Sequence, residues 1–200
     1  GRDAGSSSRY ALTRWFAAAG ALSIGLFSLG MGWLLSSFLQ GRMLERDAAI
    51  SRDFVQSIAN IQQVGGFFRA PKGQPTTSVS EFFAHVAAMP DVLRANVYAP
   101  DRRVLWSSRP ELIGQTFAAN DELDRALKGQ VVVKLDEDGH EARKDEHQGL
   151  AVKNVGYVEN YLPVFDERSR DLIGVIEVYR QPVALFAAIR AGQEILWAGS

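Results

Sequence analysis

Apolar residues dominate one long stretch near the start of the chain, over residues 15–39. These 25 residues carry no charged side chain, and Arg14 and Arg42 flank the uncharged interval. As a helix rising about 1.5 Å per residue they extend about 37 Å, enough to cross a hydrocarbon core of about 30 Å. A signal peptide is the alternative, although its apolar core is normally only about 7–15 residues long. The pattern predicts one transmembrane helix over 15–39, after a cytoplasmic tail over 1–14.

Small side chains recur on this predicted helix at steps of three and four. That spacing places them within one stripe of a helix, and small residues let two helices approach closely in a bilayer. The alternative is that Ala, Gly and Ser are simply common in membrane helices. We interpret the stripe as a candidate dimer face. Its residues are Ala17, Ala21, Gly25, Ser28, Gly32 and Ser36.

Helical spacing continues after the apolar stretch. No proline interrupts residues 40–64, and apolar side chains recur there with charged residues between them. We predict a stalk helix over 40–64 that continues the membrane helix and ends at Gly65 and Gly66. One face of this stalk offers a seam for a second copy, so the membrane and stalk helices together predict a homodimer. The recurring apolar residues are Met43, Ile50, Phe54, Ile58 and Ile61.

Capping patterns predict two short helices in the following domain, 65–182. A loop over 66–79 is expected to lead to a helix over 81–89, because Ser78 and Glu81 have the spacing of a capping box. Asn120 is expected to cap a second helix over 121–128.

Five segments with strand-like patterns are joined mostly by short turns. Such connections favour an antiparallel sheet with helices packed on it, an α+β fold of about five strands. Pro182 is expected to open an exit helix over 183–200 that leads toward a second membrane span. The predicted strands cover 94–99, 103–107, 131–135, 157–165 and 172–180.

Composition and charge narrow the classes of function. Hydrophobic residues make up 46% and charged residues 22%, which is typical of a globular protein. The formal net charge is −1, and the part after the membrane helix is acidic, so no nucleic-acid partner is expected. The chain has no cysteine, which is compatible with an oxidising or a reducing compartment.

Two segments resemble the strand pairs of extracytoplasmic PAS-like sensor domains of the Cache class. The first, 96–117, has a Pro100-Asp101 turn between two apolar runs, and the second, 161–180, resembles the closing hairpin. The resemblance implies a PAS-like antiparallel sheet packed by a long N-terminal helix. It also implies a domain placed between two membrane helices of a bacterial receptor.

The function that this resemblance implies is sensing. We expect a membrane-anchored sensor region of a signal-transduction receptor, with a two-component sensor histidine kinase as the first choice. A chemoreceptor, a diguanylate cyclase and a membrane-tethered protein-interaction module are the alternatives, and a membrane-anchored hydrolase is the least favoured hypothesis. We expect the bacterial inner membrane as the location and a periplasmic sensor domain, although basic residues balance on the two sides of the span.

The sequence contains no recognisable catalytic arrangement. It lacks a nucleophile elbow, a phosphate-binding loop and a nucleotide-binding kinase signature. His140 and His147 lie in a polar run, 136–148, whose carboxylates and imidazoles suit a metal, but a solvated loop explains the run more simply. We therefore predict no catalytic residue, metal site or cofactor within these residues.

Polar residues alternate with apolar ones in the predicted strands. Tyr157, Glu159 and Tyr161 share one face of a strand, as do Glu177 and Tyr179. Since carboxylates are costly to bury unpaired, this face either meets water or binds a small polar ligand. The candidate ligand-binding residues are Arg94, Asn96, Tyr98, Trp106, Tyr157, Glu159, Tyr161, Glu177 and Tyr179.

Overall fold

The computed structural model describes residues 6–69, 75–117, 120–136, 157–181 and 187. They belong to two compact units, one within Gly1–Arg42 and Ala188–Ser200 and the other within Met43–Ala187. The predicted exit helix over 183–200 lies outside the described residues except for residue 187, which is helical. The polar run over 136–148, with both of its histidines, also lies outside them after its first residue.

Helix α1, Ser6–Ile61, continues without interruption through the predicted membrane and stalk segments. The isolated Gly41 does not break it, since a glycine inside a helix costs only about 1 kcal/mol. The helix is long and apolar enough to cross a membrane, and no residue of its most apolar stretch is buried against the rest of the described chain. It starts earlier than predicted, and it ends at Ile61 because Gln63 adopts a left-handed backbone conformation with φ 51°.

The second unit is built on a five-stranded sheet in which every neighbouring pair is antiparallel. The strands lie in the order β2-β1-β5-β4-β3, so the last strand in the chain is the central one. The predicted α+β fold, with a long N-terminal helix and about five antiparallel strands, is confirmed. The strands are β1 Val92–Tyr98, β2 Val104–Ser107, β3 Val132–Asp136, β4 Tyr157–Phe165 and β5 Leu172–Arg180.

The C-terminal part of α1 packs on one face of this sheet, which we call the helix face. Two short helices, α2 Gly65–Arg69 and α3 Thr77–Ala87, complete the packing. Burying these apolar surfaces together removes them from water and supplies the main stabilisation of the unit. The core of the helix face includes Val55, Ala59, Phe68, Phe82, Phe83, Val97, Leu162, Ile176 and Val178.

A side-chain amide fixes α1 on β4. Gln56 Nε2 donates to the backbone oxygen of Phe165 over 2.8 Å, and the Phe165 N–H donates to Gln56 Oε1 over 2.9 Å. Phe165 is the last residue of β4, where the register with β5 shifts. The amide therefore satisfies backbone groups at an irregular point of the ladder.

The opposite face of the sheet is partly covered by smaller elements. They are helix α4, Asp121–Ala126, and a 3₁₀ turn, Pro110–Leu112. The predicted cap of α4 is confirmed, since Asn120 Oδ1 accepts from the backbone N–H groups of Glu122 and Leu123. An apolar cluster joins these elements to the sheet through Leu112, Leu123, Val132, Tyr161 and Val175.

Two predictions for the start of the domain are wrong. Helix α2, Gly65–Arg69, occupies the first part of the predicted loop over 66–79, and a Cβ at Gly65 would lie 2.6 Å from Asp166 Oδ2, so the missing side chain permits a close approach. Helix α3 begins at Thr77 rather than at 81. The reason is that the hydroxyl of Thr76, not of Ser78, accepts from the Val79 N–H, over 3.4 Å.

Candidate ligand-binding site

Predicted polar residues meet in a row across the centre of the sheet. Asn96 of β1 lies opposite Glu177 of β5, and Glu177 lies opposite Tyr161 of β4. Residues opposite each other in an antiparallel pair project to the same face. The three side chains therefore share the face opposite α1, which we call the polar face.

A second row runs beside the first. Arg94 of β1 lies opposite Tyr179 of β5, and Tyr179 lies opposite Glu159 of β4. Glu159 in turn lies opposite Lys134 of β3. Lys134 forms an ion pair with Glu122 of α4 over 3.3 Å. The row thus alternates a cation, a phenol, a carboxylate and a second cation.

Glu177 is the centre of the hydrogen bonding on the polar face. Its side chain is completely buried. Oε2 accepts from Asn96 Nδ2 over 2.7 Å and from the Tyr98 hydroxyl over 2.8 Å. Oε1 accepts from the Tyr179 hydroxyl over 2.7 Å. These three donors replace the water that the buried carboxylate has lost.

Tyr161 connects the sheet to α4. Its hydroxyl donates to Glu159 Oε2 over 3.2 Å and accepts from Asn120 Nδ2 over 3.2 Å. Burial raises the pKa of Tyr161, and the charges of Glu177 and Glu159 raise it further. The phenol therefore stays protonated and acts as a hydrogen-bond donor at every physiological pH.

Tyr179 is placed between aromatic and cationic neighbours. Its ring lies 6.0 Å from that of Tyr157, and the Arg94 guanidinium carbon lies 5.7 Å from its centroid. Burial raises the pKa of Tyr179, and the Glu177 carboxylate adds to the effect. Burial lowers the pKa of Arg94, although a guanidinium remains charged in proteins.

Of the predicted residues, only Trp106 lies away from this group. It is opposite Val97, on the helix face, and its ring stacks on Phe83 with centroids 4.9 Å apart. The structure brings the other eight residues together on the polar face, although the register places Tyr157 at its margin, opposite Asp136. Their part in binding a ligand stays a prediction.

Three polar residues of this face were missed by the sequence analysis. Ser107 Oγ donates to Asn96 Oδ1 over 2.7 Å, Asn120 binds Tyr161, and Lys134 lies beside Glu159. Alternation along the predicted strand 103–107 separates Ser107 from Trp106. That signal was available, whereas the second role of Asn120 depends on tertiary contact.

The predicted dimer-face residues all lie in the first part of α1. Ala17, Ala21, Gly25 and Ser28 are exposed, and Gly32 and Ser36 are half-buried. A Cβ added at Gly25 would meet no atom within 4 Å. Association through this face stays a prediction.

Two open clefts lie at the turn between β4 and β5, away from the polar face. They have volumes of about 230 and 600 Å³. Both mix arginines with carboxylates and share Asn60, Phe165, Asp166 and Glu167. Within the described part of the chain, no group of three or more His, Asp or Glu side chains is arranged to hold a metal ion.

Comparisons with known proteins give similarities of fold. No protein-family model and no curated protein matches the chain. The chain is similar to the sensor domain of DcuS from E. coli, with 19% identity, coverage of 70% of this chain and 98% of that chain, and a TM-score of 0.43. A receptor from Desulfohalobium retbaense, described as an extracellular ligand binding receptor, has 13% identity, coverage of 75% and 27%, and a TM-score of 0.39.

The periplasmic domain of RsbU from Chlamydia trachomatis is a third similar structure. It has 13% identity, coverage of 77% of this chain and 56% of that chain, and a TM-score of 0.40. At these identities the likeness concerns the fold alone.

Proposed function

We propose that the chain is the membrane-anchored, extracytoplasmic sensor region of a bacterial two-component sensor histidine kinase. The continuity of α1 carries this proposal. One helix contains an apolar segment of membrane length and also packs on a sheet whose opposite face buries a polar cluster. A ligand at that cluster would act on the fold that holds the membrane helix.

The polar face is the proposed binding site for a small polar ligand. Polar groups in a sheet are costly to bury, and this sheet gathers them on one face, in rows that cross β1, β5 and β4. Arg94 offers a cation, Glu159 and Glu177 offer carboxylates, and the tyrosines offer protonated hydroxyls beside aromatic surface. The proposed site residues are Arg94, Asn96, Tyr98, Tyr157, Glu159, Tyr161, Glu177 and Tyr179.

A thermal-shift screen of the full chain in detergent tests the site. The probes are the twenty amino acids, small dicarboxylates and small amines. We expect at least one of them to raise the melting temperature of the unmodified chain and of Trp106→Phe, but not of Glu177→Gln. Two results count against the site, namely no shift with any probe or an undiminished shift in Glu177→Gln.

We further propose that two copies associate along α1. The small-residue stripe would form the contact within the membrane. On the later part of the helix, Met43, Ile50, Phe54 and Ile61 are large apolar residues at least 46% exposed, spaced by seven, four and seven positions. That spacing keeps them near one face, as a seam between two helices requires.

Cross-linking in membranes tests this association. Because the chain has no cysteine, Ile50→Cys introduces a single thiol at an exposed position. We expect disulfide-linked dimers, which become rarer when Gly25 and Gly32 are both changed to Leu. The matched control changes Gly20 and Gly30, which lie off the stripe. Equal cross-linking in the two double variants would remove the stripe from the proposed interface.

The location and the type of receptor have separate tests. Protease added to intact spheroplasts is expected to digest residues 65–182 and to spare 15–39. Digestion of 15–39 in the absence of detergent would contradict a membrane span.

A phospho-accepting histidine segment encoded after residue 200 would support the kinase, whereas a methyl-accepting or cyclase domain there would favour the alternatives.

A further inference from the structure

We propose that Arg180 is a switchable latch between the sheet and α1, and that Asn160 is its second partner. Arg180 is the last residue of β5 and is 7% exposed. Its Nη1 donates to Asp47 Oδ2 and, over 3.2 Å, to Ser51 Oγ, while Nε donates to the Pro90 backbone oxygen over 3.1 Å. Asp47 and Ser51 are one turn apart on α1, so a single guanidinium holds one face of the helix.

The latch lies directly next to the polar cluster along the chain. Tyr179 belongs to the polar face and donates to Glu177, whereas Arg180 projects to the helix face. Consecutive residues of a strand point to opposite sides of a sheet. A change in the backbone at Tyr179 is therefore transmitted to Arg180 through a single peptide unit.

Asn160 offers a second partner on the sheet itself. It is 1% exposed, and neither its Oδ1 nor its Nδ2 has a hydrogen-bond partner among the described residues. Asn160 pairs with Val178 and Arg180 pairs with Val158, so the two side chains are diagonal neighbours on adjacent strands. Diagonal neighbours are about 7–8 Å apart, within reach of an arginine.

These contacts define two arrangements. In the first, which the structure contains, Arg180 binds α1 and leaves the Asn160 amide without a partner among the described residues. In the second, Arg180 turns to Asn160 Oδ1, and Asp47 and Ser51 are released from the sheet. The Asp47 side chain is 38% exposed, so its carboxylate can return to water without crossing the core. A buried acceptor without a partner favours the change, because satisfying it offsets part of the lost ion pair.

Distances between spin labels on the full chain in nanodiscs test the latch. The chain has no cysteine, so Ile50→Cys on α1 and Leu93→Cys on β1 are labelled specifically, and both positions are exposed. We expect Asp47→Asn to raise the population of a second distance by about ten- to hundredfold, since a hydrogen bond to a charged group is weakened. Ser51→Ala is expected to act in the same direction with a smaller effect, and it serves if Asp47→Asn folds poorly.

The control variant lies on α1, and the decisive variant lies on β4. Asp53→Asn removes an exposed carboxylate of α1 that pairs with Arg52, and it should leave the distance distribution unchanged. Asn160→Leu removes the second partner, so adding it to Asp47→Asn should restore one distance. A purely structural ion pair predicts no such restoration.

The latch is refuted if Asp47→Asn and Ser51→Ala behave like Asp53→Asn, or if Asn160→Leu fails to restore the single distance. The measurement needs no ligand, so its failure leaves the proposed sensing function standing.

Discussion

Asn96 and Glu177 face each other across β1 and β5, and the Asn96 amide nitrogen donates to a Glu177 oxygen 2.7 Å away. Neither side chain exposes any surface. Because two tyrosine hydroxyls donate to the same carboxylate, Glu177 organises hydrogen bonds from two strands. The interior of this sheet therefore depends on a charged residue.

We expect Glu177→Gln to lower the free energy of unfolding by about 1–3 kcal/mol, because an amide keeps one acceptor and brings two donors into a site already full of donors. Urea denaturation followed by circular dichroism measures the change. Glu167→Gln, at an exposed position in the β4–β5 turn, is the control and should stay within about 0.5 kcal/mol. Equal midpoints for the two variants would contradict the central position of Glu177.

The stacked pair of Trp106 and Phe83 predicts a large loss of stability on truncation. Because Trp106 is half-buried, Trp106→Ala should cost about 2–4 kcal/mol, less than the about 3–5 kcal/mol typical of fully buried aromatic side chains, and Trp106→Phe should cost less still because a ring remains. Chemical denaturation of both variants provides the comparison. A cost for Trp106→Ala below about 1 kcal/mol would show that the stack does not support the fold.

Gly174 lies under Phe68, and a Cβ there would approach both a Phe68 ring carbon and the Tyr98 backbone oxygen to 2.6 Å. Gly174→Ala should therefore destabilise the domain by about 1–3 kcal/mol through overpacking. Gly66→Ala is the matched control, since a Cβ at Gly66 would meet nothing within 4 Å. It should be neutral or stabilising by up to about 1 kcal/mol, because alanine favours the helix. Thermal melting of both variants tests the pair, and a more stable Gly174→Ala would be inconsistent with the packing.

Asp166 makes the stability of the fold depend on pH. The Ser169 backbone N–H lowers the pKa of this carboxyl, and the Arg168 N–H and the Arg69 guanidinium lower it further. A carboxyl with a depressed folded-state pKa stabilises the fold above its unfolded value of about 3.9, and the contribution disappears as pH falls through the folded pKa.

Asp166→Asn should accordingly melt at a lower temperature than the unmodified chain at pH 7, with the difference shrinking as the pH falls below about 3.9. Melting curves over this pH series measure the difference. Asp171→Asn controls for the loss of a negative charge in the same turn. A difference that stays constant with pH would exclude the carboxylate as its source.

Local pattern predicted the strands well where a run rich in β-branched and aromatic residues is bounded by polar turn residues. β4 and β5 have the predicted bounds for this reason. The position of Trp106 was not predictable in the same way, because a register shift between Val97 and Tyr98 decides which residue of β2 opposes which residue of β1. Such a shift depends on how the turn packs, which the local pattern does not contain.

Contacts between distant parts of the chain could not be predicted from the sequence either. Arg180 binds Asp47 although 133 positions separate them, and nothing in either segment indicates the other. α2 formed where two glycines indicated a loop, because burial of Phe68 outweighed the low helix propensity of glycine. The polar face was easier to predict, since carboxylates and tyrosines at every second position of a strand identify one side.

Asn120 uses the two ends of one short amide for different elements. Its oxygen caps α4, and its nitrogen reaches the Tyr161 hydroxyl on the sheet. Aspartate would keep the cap but lose the donor and add a negative charge near Glu159, while serine would keep the cap but fall short of the phenol. Glutamine would reach the phenol but cap poorly. At position 120 asparagine alone therefore satisfies both the cap of α4 and the contact with Tyr161, although neither contact by itself would require asparagine.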